Sequence, residues 1–375
     1  MTHTGTARVI DLKGSPYQMG YQHGRQVRPL RPQIITAMEA RFAQLEQDGA
    51  DAAFAALVEE TRQVVETIDP ATVALVHGLA DGLELDFNRL LRYNLAAFLR
   101  DALLTRKLLN GPSDGCTTWA ASGPATGDGQ PILAKNRDYR LEHLPLQVVV
   151  KAEPAQGYRY TFVTSAGSPG VFVAGFNEAG LAVADSHVSS SDVGPGLPTY
   201  ALSMHLLEEH RSVRSALDYL QATPRLGRNN LLLADAGGDM ALFEIGHHHS
   251  GVVEAEAGLL VSTNHFRSPA MQPYFVETDP PARRGNTFER YQLAWERLSS
   301  AYGRIDLTLA QQLMAAHADG LASLCCHPSA ASETATIAAM IFLPTQRRML
   351  FSHGQPCQGE YYAFTYDRST SHPTL

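Results

Sequence analysis

Near residue 115 the chain changes character, and that change limits the folds open to it. Roughly the first 110 residues, after a short strand-like RVIDL, carry apolar side chains at helical spacing, as in IITAMEARFAQLEQ and ATVALVHGLADGL. Asp86 stands where it can cap a further helix. Glycine and proline then cluster in NGPSDG at 110–115, which marks a boundary or an exposed loop. From Cys116 to about 190, short β-rich runs alternate with turns: CTTWAAS, PILAKNRD, LQVVVKA, RYTFVTS, VFVAGF and LAVADS. Helix is expected again over 200–222. A hairpin follows, turning at Ala236-Gly237-Gly238-Asp239, then the strand GLLVSTNHF, helices at 286–300 and 307–318, and two closing strands. Two sheets covered by helices would account for this order, an α+β layered architecture.

The chain has 375 residues, 44% of them hydrophobic, enough apolar material for a large core. The expected division is a mainly helical segment, 1–115, and a catalytic domain, 116–375. A net charge of −8 argues against a general nucleic-acid binder. No stretch reaches the ~20 apolar residues needed to span a bilayer, and the N-terminus does not read as a secretory signal. A cytoplasmic location and no membrane partner are therefore expected.

Four cysteines occur, at 116, 325, 326 and 357. In a reducing compartment most would be small buried hydrophobes. Cys116 is the exception to examine. Gly115 precedes it, and Lys-Asn-Arg-Asp stands at 135–138. If 117–122 pairs with 131–136 across TGDGQ, Cys116 and Asp138 lie at one edge of a sheet. A cysteine that becomes a chain terminus carries a thiol and an α-amine, whose pKa of ~7.7–8.0 suits it as a base. Asp138 could orient that amine, and Lys135 could favour thiolate. Self-cleavage would follow from attack of the Cys116 thiol on the Gly115 carbonyl, glycine allowing close approach. The plain alternative is a Gly-Cys pair in a loop before a buried strand.

Seven segments, in order, tip that balance: GSPYQMGYQHG (14–24), DGCTTWAAS (114–122), KNRD (135–138), GFNEAGLAVA (175–184), RNNLLLADAGGDMALFE (228–244), STNHF (262–266) and TIAAMIFLP…FSHGQPC (336–357). With these the chain resembles the acyl-coenzyme A:6-aminopenicillanate acyltransferase-like family. These are N-terminal nucleophile (Ntn) hydrolases, related more distantly to choloylglycine hydrolases and penicillin V acylases. The resemblance implies a four-layer αββα fold, autoproteolytic maturation, and cleavage or transfer of the acyl group of a small N-acyl amide. It implies Cys116 as nucleophile, Asp138 as the residue holding the new amine, and Asn264 as a partner of the amine or the oxyanion. Arg290 falls near a family arginine; the other reading is an exposed helix residue. Lys135 stands where choloylglycine hydrolases carry arginine. Continuing from Asn177 and Gly180-Leu181, the oxyanion-hole asparagine of those hydrolases falls on His187.

No cofactor and no metal are expected. Alternate residues of a strand face opposite ways, so His247-His248-His249 reads as a surface hairpin end. Cys325-Cys326-His327 lacks C-x-x-C spacing and reads as loop or core. GLADGLEL has the wrong spacing for a phosphate loop. The competing functions are a papain-like cysteine protease without self-cleavage and a non-enzymatic small-molecule binding protein. Homo-oligomerisation is left open.

Overall fold

A computed structural model describes residues 8–47, 49–104, 115–279, 283–318, 322–328 and 334–366. The boundary loop expected at 110–115 lies outside them except for Gly115. The helical segment begins with strand β1 (Arg8–Gly14) and continues through α1 (Pro16–Val27), α2 (Arg31–Gln47), α3 (Asp51–Ile68), α4 (Pro70–Leu83) and α5 (Phe87–Leu104). Ser15 starts α1 with a capping box, its hydroxyl accepting from Gln18 while the Gln18 side chain accepts from the Ser15 N–H. Asp86 caps α5 as expected, accepting from the Arg89 N–H at 2.8 Å.

The strands that follow are β2 (Gly115–Ala121), β3 (Ile132–Arg140), β4 (Gln147–Pro154), β5 (Tyr160–Ser165), β6 (Ala174–Asn177) and β7 (Ala182–Ser186). Helices α6 (Thr199–Glu209) and α7 (Val213–Ala222) replace the single helix expected over 200–222. The chain leaves helical geometry at His210 and restarts at Ser212, whose hydroxyl caps α7. Next come β8 (Asn230–Ala234), β9 (Met240–Ile245), β10 (Ser250–Glu254), β11 (Leu259–Ser262), α8 (Asn286–Ser300), α9 (Leu307–Met314), β12 (Thr334–Leu343), β13 (Arg348–His353) and β14 (Tyr361–Thr365). Strands β10 and β14 were not anticipated, and α9 stops at Met314, short of 318. Both unexpected strands end a sheet and bury little on one face, so their sequences show no strong alternation.

Among the described residues the strands form two sheets, in the orders β1-β4-β5-β6-β7-β8-β9-β10 and β11-β2-β3-β12-β13-β14. Burial defines the layers. Val148 and Val150 of β4 belong to the core beneath the N-terminal helices, whereas Val149 between them belongs to the core shared with the other sheet. In β12, Ala338, Met340 and Phe342 face that shared core while Ile341 and Leu343 pack with α8 and α9 residues such as Leu298 and Leu313. The order is helix, sheet, sheet, helix: the expected αββα fold. A strand buried on both faces, such as β12, reads as a largely apolar run for this reason.

Residues before 115 are built into this frame. Strand β1 pairs in parallel with β4, Ile10 opposite Val150. Helices α1 and α4 meet through glycines: a Cβ on Gly20 would lie 2.0 Å from the Leu75 carbonyl, and one on Gly78 2.1 Å from that of Tyr17. Thus GLADGLEL supplies a helix contact. Asp69, which caps α4, also meets His205 Nε2 of α6 at 2.9 Å, and His205 Nδ1 meets Glu209 at 2.8 Å.

Burial opposes the charge on His205, but Asp69 and Glu209 outweigh it and raise its pKa from 6.5 to about 9. A group whose folded pKa is raised contributes stability that is complete below its unfolded value and lost as pH rises through the folded one. Denaturant midpoints of the wild type should therefore fall from pH 6.5 to beyond about 9 more steeply than those of His205→Gln.

Candidate active site

The turn expected at TGDGQ sets β2 against β3 in the register Gly115↔Asp138, Cys116↔Arg137 and Thr118↔Lys135. Cys116 and Asp138 do lie at one sheet edge, with Cys116 the second residue of its strand. Side chains alternate, so Cys116, Thr118 and Ala120 face the opposing sheet while Thr117 and Trp119 face α8 and α9. Thr118 meets Ser186 of β7 at 3.1 Å between hydroxyls. Lys135, on the same face, stands beside the Cys116 thiol with Nζ 3.4 Å from Sγ. Its ammonium also contacts both the carbonyl and the carboxylate of Asp185 on β7, the latter at 2.5 Å.

Burial pushes the Cys116 thiol above its ordinary pKa; Lys135 pulls it down, while Asp185 and Asp138 add to the rise. The lysine thus acts in the expected direction, and burial opposes it. Burial also works against the charge on Lys135, but Asp185 outweighs it and holds the ammonium above its usual value. An ammonium therefore fills the place beside the thiol where a papain-like pair would need an imidazole.

The backbone of Cys116 is held from a second direction. Strand β11 pairs with β2, Ser262 opposite Thr118, so the chain leaving β11 carries Asn264 level with Cys116. Asn264 Oδ1 accepts from the Cys116 N–H at 3.0 Å, and its Nδ2 donates to the His187 carbonyl at 2.7 Å. Arg290 projects from the buried face of α8, in step with Asn286, Ala294 and Leu298. Its guanidinium donates to the Cys116 carbonyl, to Thr117 Oγ1 at 3.0 Å, to Asn264 Oδ1 at 2.6 Å and to Asn286 Oδ1 at 2.8 Å. Arg290 is thus a buried partner of the site, and the exposed-helix reading is corrected.

Asp138 lies on the opposite face of β3 from Lys135. It accepts from Thr336 Oγ1 at 2.6 Å, and burial raises its pKa against the pull of Arg290 and Thr336. A Cβ on Gly115 would come within 3.2 Å of Asp138 Cβ and Oδ2. Gly115 is absent from the left-handed region, so the closeness of Asp138, not backbone strain, suits glycine there. His187 is half-buried and follows β7, with Nε2 3.5 Å from Ser189 Oγ.

These groups border a pocket of about 50 Å³ lined by Cys116, Lys135, Asp138 and His187, with Phe98, Phe172 and Arg228 among its walls. Phe98 comes from α5, so residues before 115 form part of it. Phe98 and Phe172 rings lie 5.3 Å apart. Sequence reasoning gave no role to Asp185, Arg228 or Asn229. Asn229 Nδ2 donates to Asp185 Oδ2 at 3.0 Å, and both Arg228 and Asn229 sit at positive φ, 53° and 92°. Such backbone is uncommon outside glycine and clusters at functional sites. The RNN at 228–230 was visible, but its conformation was not.

A family model for acyl-coenzyme A:6-aminopenicillanic acid acyl-transferase matches residues 125–358, more than half of the chain. The chain belongs to this family. The matched span covers the segments that carry Lys135, Asp138, His187, Asn264 and Arg290 and begins beyond Cys116. Solved structures with likeness to this acyl-transferase family member include a variant of conjugated bile acid hydrolase from Clostridium perfringens, at 12% identity and a TM-score of 0.43, covering 69% of this chain and 99% of that one. An N-acylethanolamine-hydrolyzing acid amidase ortholog from Caenorhabditis elegans gives 15%, 0.44, 61% and 93%. Penicillin V acylase from Agrobacterium tumefaciens gives 15%, 0.38, 64% and 83%. No curated protein matches. Among the described residues no helix is long and apolar enough to cross a membrane.

Arg290→Met would leave the Cys116 carbonyl and Asn264 Oδ1 short of a donor. Each buried acceptor so deprived costs about 1–3 kcal/mol. Chemical denaturation should show a total loss of about 2–5 kcal/mol, and a loss within error would mean the clamp contributes nothing to the fold.

Proposed function

We propose that the chain is a self-processing amidohydrolase or acyltransferase of small N-acyl amides, acting through a thioester on Cys116. The observation that carries this reading is the grip on the backbone of one residue, on both of its peptide bonds: Asn264 accepts from the N–H of Cys116 and Arg290 donates to its C=O while its thiol borders a pocket. Such fixing of backbone is needless for a passive buried cysteine and useful where the residue must be both substrate and nucleophile.

In the processing step the Cys116 thiol attacks the Gly115 carbonyl carbon, and its proton passes to the departing nitrogen. The C–N bond breaks, leaving a thioester and a free Cys116 amine. Water then cleaves the thioester, giving the Gly115 carboxylate and restoring the thiol. The amine so formed stays within reach of Asn264 Oδ1, and removal of the Gly115 link frees the flank of Asp138. With a reference pKa of ~7.7–8.0 it can take the thiol's proton and later give it to the leaving amine.

In turnover the thiol attacks the acyl carbonyl of the substrate, the amine leaves, and the acyl group rests on sulfur. Water resolves the thioester to an acid in hydrolysis, and a second amine resolves it in transfer. Phe98 and Phe172 give the acyl group an apolar wall. Oxygen charge develops in both steps, and we assign its stabilisation to His187, assisted by nearby main-chain N–H groups. The reading extends to this chain the acyl-group chemistry that the family's name describes.

Intact mass of purified protein tests the first step. Wild type should give fragments 1–115 and 116–375, and Cys116→Ala one full-length, inactive species. Cleavage of Cys116→Ala at the same bond would assign the cut to another protease.

The second test concerns turnover. In processed protein His187→Ala should lower kcat by about 10²–10³ with little change in KM, as loss of a transition-state donor does. His187→Asn should recover much of it; an alanine variant as fast as wild type removes the side chain from the oxyanion site.

A further inference from the structure

On the helix-facing side of the smaller sheet, behind β3 and away from the thiol, three separate stretches of chain converge. His317 follows α9, Cys325 and His327 lie in the segment before β12, and Cys357 follows β13. One ligand atom from each lies within 4.8 Å of the other three. His327 Nε2 is 3.0 Å from His317 Nε2, 3.2 Å from Cys357 Sγ and 3.9 Å from Cys325 Sγ.

Hydrogen bonding does not account for this crowding. An imidazole nitrogen carries either one proton or one lone pair, so it can serve one partner well and not three. A cation at the centre serves all four. With zinc–nitrogen and zinc–sulfur bonds of about 2.0–2.1 and 2.3 Å, tetrahedral ligand atoms stand about 3.3–3.8 Å apart. The three separations from His327 bracket that range, and a small contraction of the cluster, whose other separations are at most 4.8 Å, completes it. Two thiolates and two imidazoles are a donor set that selects zinc over magnesium or calcium. Four protein ligands leave no open position, as in a structural centre and not a catalytic one.

We propose that His317, Cys325, His327 and Cys357 form a Cys2His2 site for one structural zinc ion. Spacing alone conceals it, because the ligands come from three stretches and Cys357 lies 30 residues beyond His327. The ion would fasten together the segments on either side of β12 and the end of α9. This bundle lies directly behind the candidate site. Asn136 of β3 donates to the carbonyls of Met314 and Leu324 at 2.8 and 2.7 Å, the Cys326 N–H donates to Thr336 Oγ1 at 2.8 Å, and Thr336 donates to Asp138. Zinc here would fix the wall against which Asp138 is set, a positioning role without contact with substrate.

The test uses the full chain, free of affinity tag, reduced and stripped of metal, and titrated with Zn²⁺ or Co²⁺ alone. One equivalent of Zn²⁺ should bind and raise the thermal midpoint, as any ligand of the folded state does. Co²⁺ should give thiolate-to-metal charge-transfer absorption and the visible bands of tetrahedral cobalt. His317→Ala alters an exposed residue and leaves folding intact; it and Cys357→Ser should weaken binding at least tenfold, about what loss of a ligand's outer partner already costs. Cys326→Ser, beside the site but not a ligand, should bind zinc like wild type. The proposal is overturned if the reduced chain takes up no zinc, if His317→Ala and Cys357→Ser bind it undiminished, or if the purified chain carries a Cys325–Cys357 disulfide that resists mild reduction.

Discussion

A guanidinium stays charged at any pH a protein tolerates, so burying Arg290 obliges the fold to surround it with acceptors. Four are supplied, from Cys116, Thr117, Asn264 and Asn286. To bring them together, β11 must lie beside β2 and α8 must cross the outer face of both. The seating of α8 on this part of the sheet thus answers that need as well as apolar burial. Asn264 is caught between two demands, since one oxygen serves both the arginine and the Cys116 N–H while its amide anchors the chain at His187. Disturbing any member leaves a buried polar group without its partner, which costs more than the bond itself contributes.

The charges on the thiol's side balance differently. Lys135 is buried and Asp185 partly so; they come from different sheets and pair across the gap. Without that carboxylate the buried ammonium would lack a counter-charge, which is costly in the interior. Together they let a cation stand beside a sulfur in the interior without making that sulfur permanently ionised. The Cys116 thiol therefore lies next to a ready positive charge, with burial and that charge pulling its pKa in opposite directions.

Much of this was legible from the sequence because it depends on local pattern. The TGDGQ turn and the strand runs around it fix the β2–β3 register, and with it the shared edge of Cys116 and Asp138. Arg290 was harder: its place every fourth residue with Ala294 and Leu298 marks a buried face, but an arginine on a polar-looking helix invites the opposite reading. Asp185 could not be singled out, because its partner lies across the space between two sheets and no spacing along the chain encodes that distance. The same holds for the four residues proposed to bind zinc, which only the folded chain brings together. Nor does sequence reveal that Arg228 and Asn229 both take positive φ.

The parallel pairing of β1 with β4 sets an order of events during synthesis. Lys13 finds its partner Glu153 only 140 residues later, so at about 5–20 residues per second the first strand waits roughly 7–28 seconds for a neighbour. Asn264 and Arg290 lie 148 and 174 residues beyond Cys116 and emerge later still. Any event at the Gly115–Cys116 bond that relies on them must therefore follow the emergence of β4. By then the N-terminal helices have a sheet to close upon. Were that bond cut as proposed, the ribosome's own direction of travel would guard against losing the leading segment before it had been captured.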